Sequence, residues 1–491
     1  MARILLSAYA CEPNRGSEPA VGWSWAIELS RLGHQVWVLT RTGNRTSIER
    51  KAHRDFNFIY YDLPRWMQSW RTGFAGKRLY YVLWQWCAAR HIRKLFPEMP
   101  FDVVQHVTYV SARYPSFMGS LGIPFYFGPV SGGEKVPPKL RRDFSVQERW
   151  RAWLRDLSNC LIPFDPLLRK TFRRAQKIIV TRDTVWLIPR QWRHKCEVRL
   201  AVGLTGEYLN DANVGQFQSC SVLVEQAFRP ALATAYISPR GFSPCSRAEA
   251  TEVMWEGVDA ALKRRSTRTI RGHANCGTAI ASHRGGRCFR LLYAGRLLES
   301  KGVDLALRAV HQLRQWRHDV RFTVVGDGPE RSRLAKLAEK LGLAEAVEWV
   351  GCVSRHSVED HYRMADLFLF PSLCDSGAMA VLEAMAHGLP VVCMKLGGPG
   401  EMVNESCGRV VPALGENREE LATSCAEAVR EIMTTPGLQE YLSAGARRRA
   451  REFDFQNLVR SIHPRSPYPA INDNHVYSLQ LSALVPPDAA V

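Results

Sequence analysis

Short apolar runs alternate with amphipathic segments over the first 200 residues of the chain. The runs RILLSAY, QVWVLT, FNFIYY, FDVVQH, PFYFG and KIIVT have the length and β-branched content of buried strands. Between them, apolar positions at 3.6-residue spacing predict helices from about Glu18 to Leu32 and from about Lys77 to Leu95. The rhythm restarts near residue 289 with FRLLYAG, the helix VDLALRAVHQL, RFTVVG, a helix from Glu330 to Leu341, VEWVG, ADLFLF and LPVVC. Strands that alternate with helices build parallel sheets covered on both faces. The expected fold class is therefore α/β, with two doubly wound, Rossmann-like domains facing a cleft. Ligands of such sheets sit at the carboxyl ends of the strands.

The pattern lapses twice. Residues 205–288 show little sustained periodicity of either kind, and a structureless insertion of that length is unusual in a compact protein. Three readings stay open for it: a basic linker, a small inserted subdomain, or a stretch not selected to fold. The end of the chain, SIHPRSPYPAINDNHVYSLQLSALVPPDAAV, is rich in Pro and Ser and is expected to be loosely ordered. The expected organisation is a first, acceptor-side domain over 1–204, the irregular insertion over 205–288, a second, nucleotide-sugar-side domain over 289–455, and a tail over 456–491.

Composition sharpens this picture at three points. A chain of 491 residues is too long for one ordinary core. The formal charge of +19 calls for an anionic partner: nucleic acid, a phosphorylated ligand or an acidic membrane surface. Thirteen cysteines without CxxC pairs or Cys/His ligand spacing suggest neither a zinc site nor a disulfide framework, and fit a reducing cytoplasm. The opening ILLSAYAC is too short and too weakly preceded by positive charge for a signal peptide, and reads as a first buried strand. No run of about 20 apolar residues suggests a membrane span.

The chemistry concentrates in PSLCDSGAMAVLEAMAHGLPVVCMKLGG, residues 371–398. Ala378, Val381, Leu382 and Met385 mark one helix face, and Gly388-Leu389-Pro390 stops it. With Gly377 opening the helix, free N–H groups of Ser376, Gly377 and Ala378 would face an anion, for which a diphosphate is the natural guest. Asp375 and Glu383 lie eight residues apart, about 12 Å along a helix, so each can reach a different part of such a ligand. The ordinary alternative makes Asp375 a solvated N-terminal acid and Glu383 a surface residue. Arg296 and Lys301, in LLYAGRLLESKGVDLALRAV, follow the first strand of the second domain, where both cations could meet a diphosphate. In the first domain, Gly16 sits in the loop after the first strand, without the G-x-G-x-x-G fingerprint of dinucleotide binding. His106 ends the strand FDVVQH at the edge where sites gather, whereas His34 precedes a strand and reads as structural.

These residues carry a resemblance. GRLLESKG, VVGDGPE, VEWVG, ADLFLFPS and VLEAMAHGLPVV follow in the order and spacing of the bacterial glycosyltransferases of family 4. That family is retaining, has the two-Rossmann GT-B fold, and includes many exopolysaccharide and lipopolysaccharide transferases. The match covers residues 1 to about 204 and about 289 to 455. The family's E-x7-E signature falls on Asp375 and Glu383, with Asp in place of the first Glu. The resemblance implies Arg296 and Lys301 on the donor diphosphate, Glu383 on the ribose hydroxyls, Asp375 on the transferred sugar, and backbone of Ser376, Gly377 and Ala378 on phosphate. It places Gly16 near the phosphates or sugar, His106 as the active-site histidine, and Gly326, Gly328 and the end of VEWVG on the nucleobase side. It implies a metal-independent hexosyltransferase without a cofactor, using a nucleoside-diphosphate sugar as substrate, in which the leaving phosphate assists same-face attack.

The segment DLPRWMQSWRTGFAGKRLYYVLWQWCAARHIRKL interleaves Trp and Tyr with Arg and Lys, and KLRRDFSVQERWRAWLRD repeats the mixture from residue 139. Such surfaces suit an anionic headgroup layer and a glycan or lipid-linked oligosaccharide acceptor at the inner face of the plasma membrane. Trp84 and its neighbours read equally as core residues of an amphipathic helix. Nucleic acid is not expected as a partner, because no recognised binding motif accompanies the charge. Two other functions stay open: a nucleotide-sugar epimerase on the same scaffold, which would need no acceptor groove, and a degenerate, non-catalytic member.

Overall fold

A computed structural model of the chain describes residues 1–13, 18–50, 56–71, 73–200, 202–205, 208–209, 288–413 and 417–464. The first sheet holds β1 (Arg3–Ala8), β2 (Gln35–Thr40), β3 (Asn57–Tyr60), β4 (Val103–Thr108), β5 (Phe125–Val130), β6 (Lys177–Val180) and β7 (Cys196–Val198). All seven pair in parallel, in the order β3-β2-β1-β4-β5-β6-β7. The second sheet holds β8 (Phe289–Ala294), β9 (Val320–Val325), β10 (Val347–Gly351), β11 (Leu367–Phe370), β12 (Val391–Met394) and β13 (Gly408–Val411), also parallel, in the order β10-β9-β8-β11-β12-β13. Central strands such as β11 and β12 are buried along their whole length, as strands covered on both faces must be.

The fold is α/β with two Rossmann-like sheets, as expected, and both lie in one compact unit. Strand order reverses direction between β1 and β4 in the first sheet and between β8 and β11 in the second. Connections on either side of a reversal leave in opposite directions, which opens a crevice at the carboxyl ends of those strands. The loops after β8 and β11 are the ones that hold Arg296, Lys301 and Asp375.

The helices introduced here are α1 (Glu18–Arg31), α2 (Gly73–Leu95), α3 (Val146–Leu161), α4 (Pro166–Arg174), α5 (Val303–Gln315), α6 (Arg331–Lys340), α7 (Arg355–Met364), α8 (Met379–Ala386), α9 (Gly397–Met402), α10 (Arg418–Thr434), α11 (Leu438–Glu452) and α12 (Phe455–Ile462). Among the described residues no helix is long and apolar enough to cross a membrane.

Three expectations need correction or fall outside these residues. β4 continues two residues past His106, because Val107 and Thr108 extend the β-favouring run; the histidine therefore lies within the strand, opposite Ser7 and Phe127. The stretch from 456 expected to be loosely ordered begins instead with most of α12. Asp454 caps this helix by accepting from the Gln456 N–H at 2.9 Å, and Phe455, Val459 and Ile462 are buried at i, i+4 and i+7. It lies on α1, with the Phe455 ring 5.6 Å from that of Trp25. His463 follows, buried, with Nε2 2.6 Å from Gln105 Oε1 on β4. Most of the 205–288 insertion, and the end of the chain after 464, lie outside the described residues.

Candidate functional site

The loop after β8 is shaped by close backbone approach. Gly302 has φ +66, and a Cβ there would stand 2.1 Å from the Pro371 carbonyl oxygen. Only glycine lets the Lys301 turn lie against the end of β11 in this way. As a result Lys301 Nζ reaches Asp375 Oδ2 at 2.6 Å, with the two side chains only 4% and 3% exposed. Asp375 Oδ1 accepts from the backbone N–H of Gly377 at 3.1 Å and of Ala378 at 2.8 Å. Neither Lys301 nor Asp375 is a solvated surface charge.

This arrangement corrects the expected start of the helix. Gly377 does not open it; α8 begins at Met379, and Ala378 precedes it in a left-handed conformation at φ +34. The Asp375 carboxylate draws the Gly377 and Ala378 N–H groups into a local turn, a pattern that Asp favours over helix. The anion position before α8 is therefore occupied by the chain's own carboxylate.

Glu383 lies in the middle of α8, 5% exposed, and accepts a hydrogen bond from the Tyr362 hydroxyl of α7 at 3.2 Å. The Tyr362 ring stacks on His387 at 5.4 Å. Arg296 is half-buried in the loop after β8, where its carbonyl accepts from the Tyr293 hydroxyl at 3.0 Å. Gly326, after β9, has φ +125 and donates its N–H to the Gly351 carbonyl at 2.8 Å; a Cβ there would strike the Gly295 carbonyl at 1.9 Å. A Cβ at Gly328 would likewise stand 2.3 Å from the Leu297 carbonyl oxygen. The ends of β8, β9 and β10 are thus drawn together on the side where the nucleobase was expected. Ser376 is buried, and its carbonyl faces Gly398 at the start of α9. Gly16 lies outside the described residues.

Several contributors escaped the sequence reading. Gly397, at φ +55, packs where a Cβ would meet the Asp375 carbonyl at 2.0 Å, and the Gly398 N–H donates to that carbonyl at 2.9 Å. The Gly-Gly pair two residues after β12 was the available signal. The first half of the chain also reaches this loop. Arg155 of α3 donates to Cys374 Sγ at 3.6 Å, and the Ser145 N–H donates to Glu299 Oε2 at 2.8 Å. Glu134 is buried, which pushes its carboxyl above the usual carboxylate range, although hydrogen bonds from Thr181 and the backbone pull the other way. Burial, reinforced by nearby Arg155, lowers Arg113 to about 10, so it stays cationic at neutral pH. No local motif announces these long-range partners.

His106 has no exposed surface. Its Nε2 is 3.4 Å from the Tyr81 hydroxyl, and burial lowers its pKa to about 4, so the ring is neutral at physiological pH. Tyr9, Tyr81, Tyr109 and Tyr114 cluster around the carboxyl ends of β1 and β4, with Arg41 4.5 Å above the Tyr9 ring. A surface hollow lined by Asn404, Arg409, Glu431 and Tyr441 belongs to the edge strand β13 and to neither switch point.

With this geometry in place, the class of the molecule follows: two parallel doubly wound sheets, each with its switch point, give the GT-B fold. Solved structures agree. A glycosyltransferase from Rickettsia africae superposes at TM-score 0.55 with 14% identity, over 94% of this chain and 96% of the other. Sucrose-phosphate synthase from Thermosynechococcus elongatus gives 0.53 with 16% identity, over 94% and 97%. At such identities the likeness concerns the fold. More narrowly, residues 285–449 match the family model described as glycosyl transferases group 1, which marks the half holding Lys301, Asp375 and Glu383. The D-inositol 3-phosphate glycosyltransferase of Kineococcus radiotolerans is 33% identical over 181 residues, covering 33% of this chain and 40% of that protein. The putative colanic acid biosynthesis glycosyltransferase WcaL of Salmonella typhimurium is 30% identical over 184 residues, covering 36% and 44%. The chain spans roughly two fifths of the length of the curated relatives it matches.

Proposed function

We propose that the chain is a retaining glycosyltransferase, moving a hexose from a nucleoside-diphosphate sugar to a glycan or lipid-linked acceptor in cell-surface polysaccharide synthesis. The observation that carries this reading is the buried Lys301–Asp375 pair at the second switch point, with the Gly377 and Ala378 amides turned onto the same carboxylate. A buried cation and convergent amides are what a diphosphate needs, and the carboxylate now in their midst has a second task once the ligand arrives.

On this reading Lys301 transfers its pairing to the diphosphate, helped by Arg296, and no divalent ion or other cofactor is required to neutralise the leaving group. Asp375, released from part of its pairing, turns to the hydroxyls of the transferred sugar. Glu383, steadied by Tyr362, accepts from the ribose hydroxyls. Fixed donors around the departing diphosphate supply the main stabilisation of the transition state. The acceptor hydroxyl attacks the anomeric carbon from the face the diphosphate leaves and gives its proton to a departing phosphate oxygen, so configuration is retained. His106, neutral and enclosed, lies beneath the surface of the first half and needs local opening to touch substrate.

Thermal unfolding with a panel of nucleoside diphosphates and their sugars tests the reading. A ligand at 100 times its dissociation constant adds about 2.7 kcal/mol of stability. Selective stabilisation by one base, lost in Lys301→Met, is expected; a cooperative transition that no nucleotide moves would count against the donor site.

A further inference from the structure

α3 is amphipathic the wrong way round for a helix packed on a soluble core. Val146, Trp150, Trp153, Leu154, Leu157 and Leu161 fall within an arc of about 100° at 3.6 residues per turn. All are exposed, Trp150 by 59% and Trp153 by 52%. The opposite, inward face carries Ala152 and Asn159, which are buried, together with Arg155. The helix thus turns its small and polar side to the protein and its apolar side to solvent. The turn that follows it continues the surface with Phe164, 77% exposed. A contiguous exposed apolar surface of this kind marks an interaction site.

Charge identifies the partner. Between residues 139 and 174 there are ten basic and four acidic residues. Each acid is engaged within the protein: Asp143 with Arg418, Glu148 with Arg151, Asp156 with Arg141, and Asp165 as the cap of α4. Exposed cations remain in this stretch: Arg142 just before α3, Arg149 on α3 next to the apolar arc, and Arg169, Lys170 and Arg173 on α4. An exposed arc of tryptophan and leucine within a strongly basic stretch suits a layer with an apolar interior and an anionic surface. We propose that α3 docks on an anionic lipid bilayer, lying in the interfacial plane with Trp150, Trp153 and Leu157 among the acyl chains and the exposed basic residues of this stretch, Arg149 first, on lipid phosphates.

Flotation of the full chain with phosphatidylcholine vesicles, with and without about 30 mol% phosphatidylglycerol, reads this out. Partitioning at least tenfold stronger onto the anionic vesicles is expected, and raised salt should weaken it. The triple variant Trp150→Ser/Trp153→Ser/Leu157→Ser should lose at least tenfold, and Arg142→Gln/Arg149→Gln should lose less, both with an unchanged unfolding temperature because the side chains are exposed. Wild-type protein that ignores anionic vesicles, or a triple variant that binds as tightly, overturns the proposal. So does sedimentation velocity showing that the triple substitution merely converts a dimer to a monomer while lipid binding is unchanged. The proposal stands apart from the donor site, since nucleotide-induced stabilisation should be the same in the triple variant and the wild type.

Discussion

At the scale of single residues, Asp375 has two roles that substitution can separate. Asn at this position keeps an oxygen for the Gly377 and Ala378 amides but leaves the Lys301 ammonium buried without its counter-charge, a loss of about 3–5 kcal/mol. A bound diphosphate would restore the charge balance. Asp375→Asn is therefore expected to unfold at a lower temperature, to be stabilised by nucleoside diphosphate more than the wild type is, and to transfer sugar poorly; calorimetry with and without ligand checks the first two. Glu383→Ala should weaken nucleotide binding by roughly 1–3 kcal/mol, measured by titration calorimetry, and unchanged affinity in a folded variant would remove the ribose assignment. Tyr362→Phe, which removes only the hydroxyl that holds Glu383, should give a smaller loss. The positions of Arg296, Lys301 and Asp375 after strand ends and of Glu383 eight residues on, within a helix, were legible in the sequence. The Asp375 turn was legible in principle, since Asp followed by Ser-Gly favours side-chain-to-backbone bonding, but the helix pattern beginning at Ala378 obscured it.

At the scale of elements, tight contact between the two loops of the second switch point depends on Gly302. Ala at this position meets both a positive φ and the Pro371 carbonyl, whereas Gly342 has nearly the same φ, +67, with nothing near its missing side chain. Gly342→Ala should therefore lose only the backbone penalty of about 1–2 kcal/mol. Gly302→Ala should lose more and should also weaken nucleotide binding, because the shift displaces Lys301. Denaturant melts of the two variants side by side give the comparison. The long central strands were readable because burial on both faces leaves continuous apolar runs. The short edge strands CEV and GRVV were not, since half-exposed strands of three or four residues carry little pattern. α3 shows the opposite difficulty. Its periodicity is clear, but no periodicity says which side faces the protein; the burial of Ala152 and Asn159 does.

At the scale of the whole molecule, the chain closes on itself: α12 belongs by sequence to the second half and by packing to the first. His463 and His106 tie this closure to pH. An unfolded histidine binds a proton near pH 6.5, whereas burial holds His463 to about 3 and His106 to about 4. Between those values the unfolded chain binds more protons, so stability falls as pH falls, by about 3 kcal/mol for each group at pH 4. His463→Gln should flatten the lower part of a stability-versus-pH curve measured by urea unfolding. A chain cut after Glu452 should lose far more. Burying Phe455, Val459 and Ile462 is worth roughly 1.5–3 kcal/mol each, and their removal uncovers Trp25 in the first half. The Pro- and Ser-rich end of the chain masked this helix, because eight patterned residues were read together with the unpatterned ones that follow.

The position of α12 also sets a clock on synthesis. α1 leaves the ribosome about 430 residues before the helix that covers Trp25, which at 5–20 residues per second is roughly 20–90 s. Throughout that interval the nascent first half presents an uncovered apolar flank, so chaperone demand during translation is written into the order of the elements along the chain.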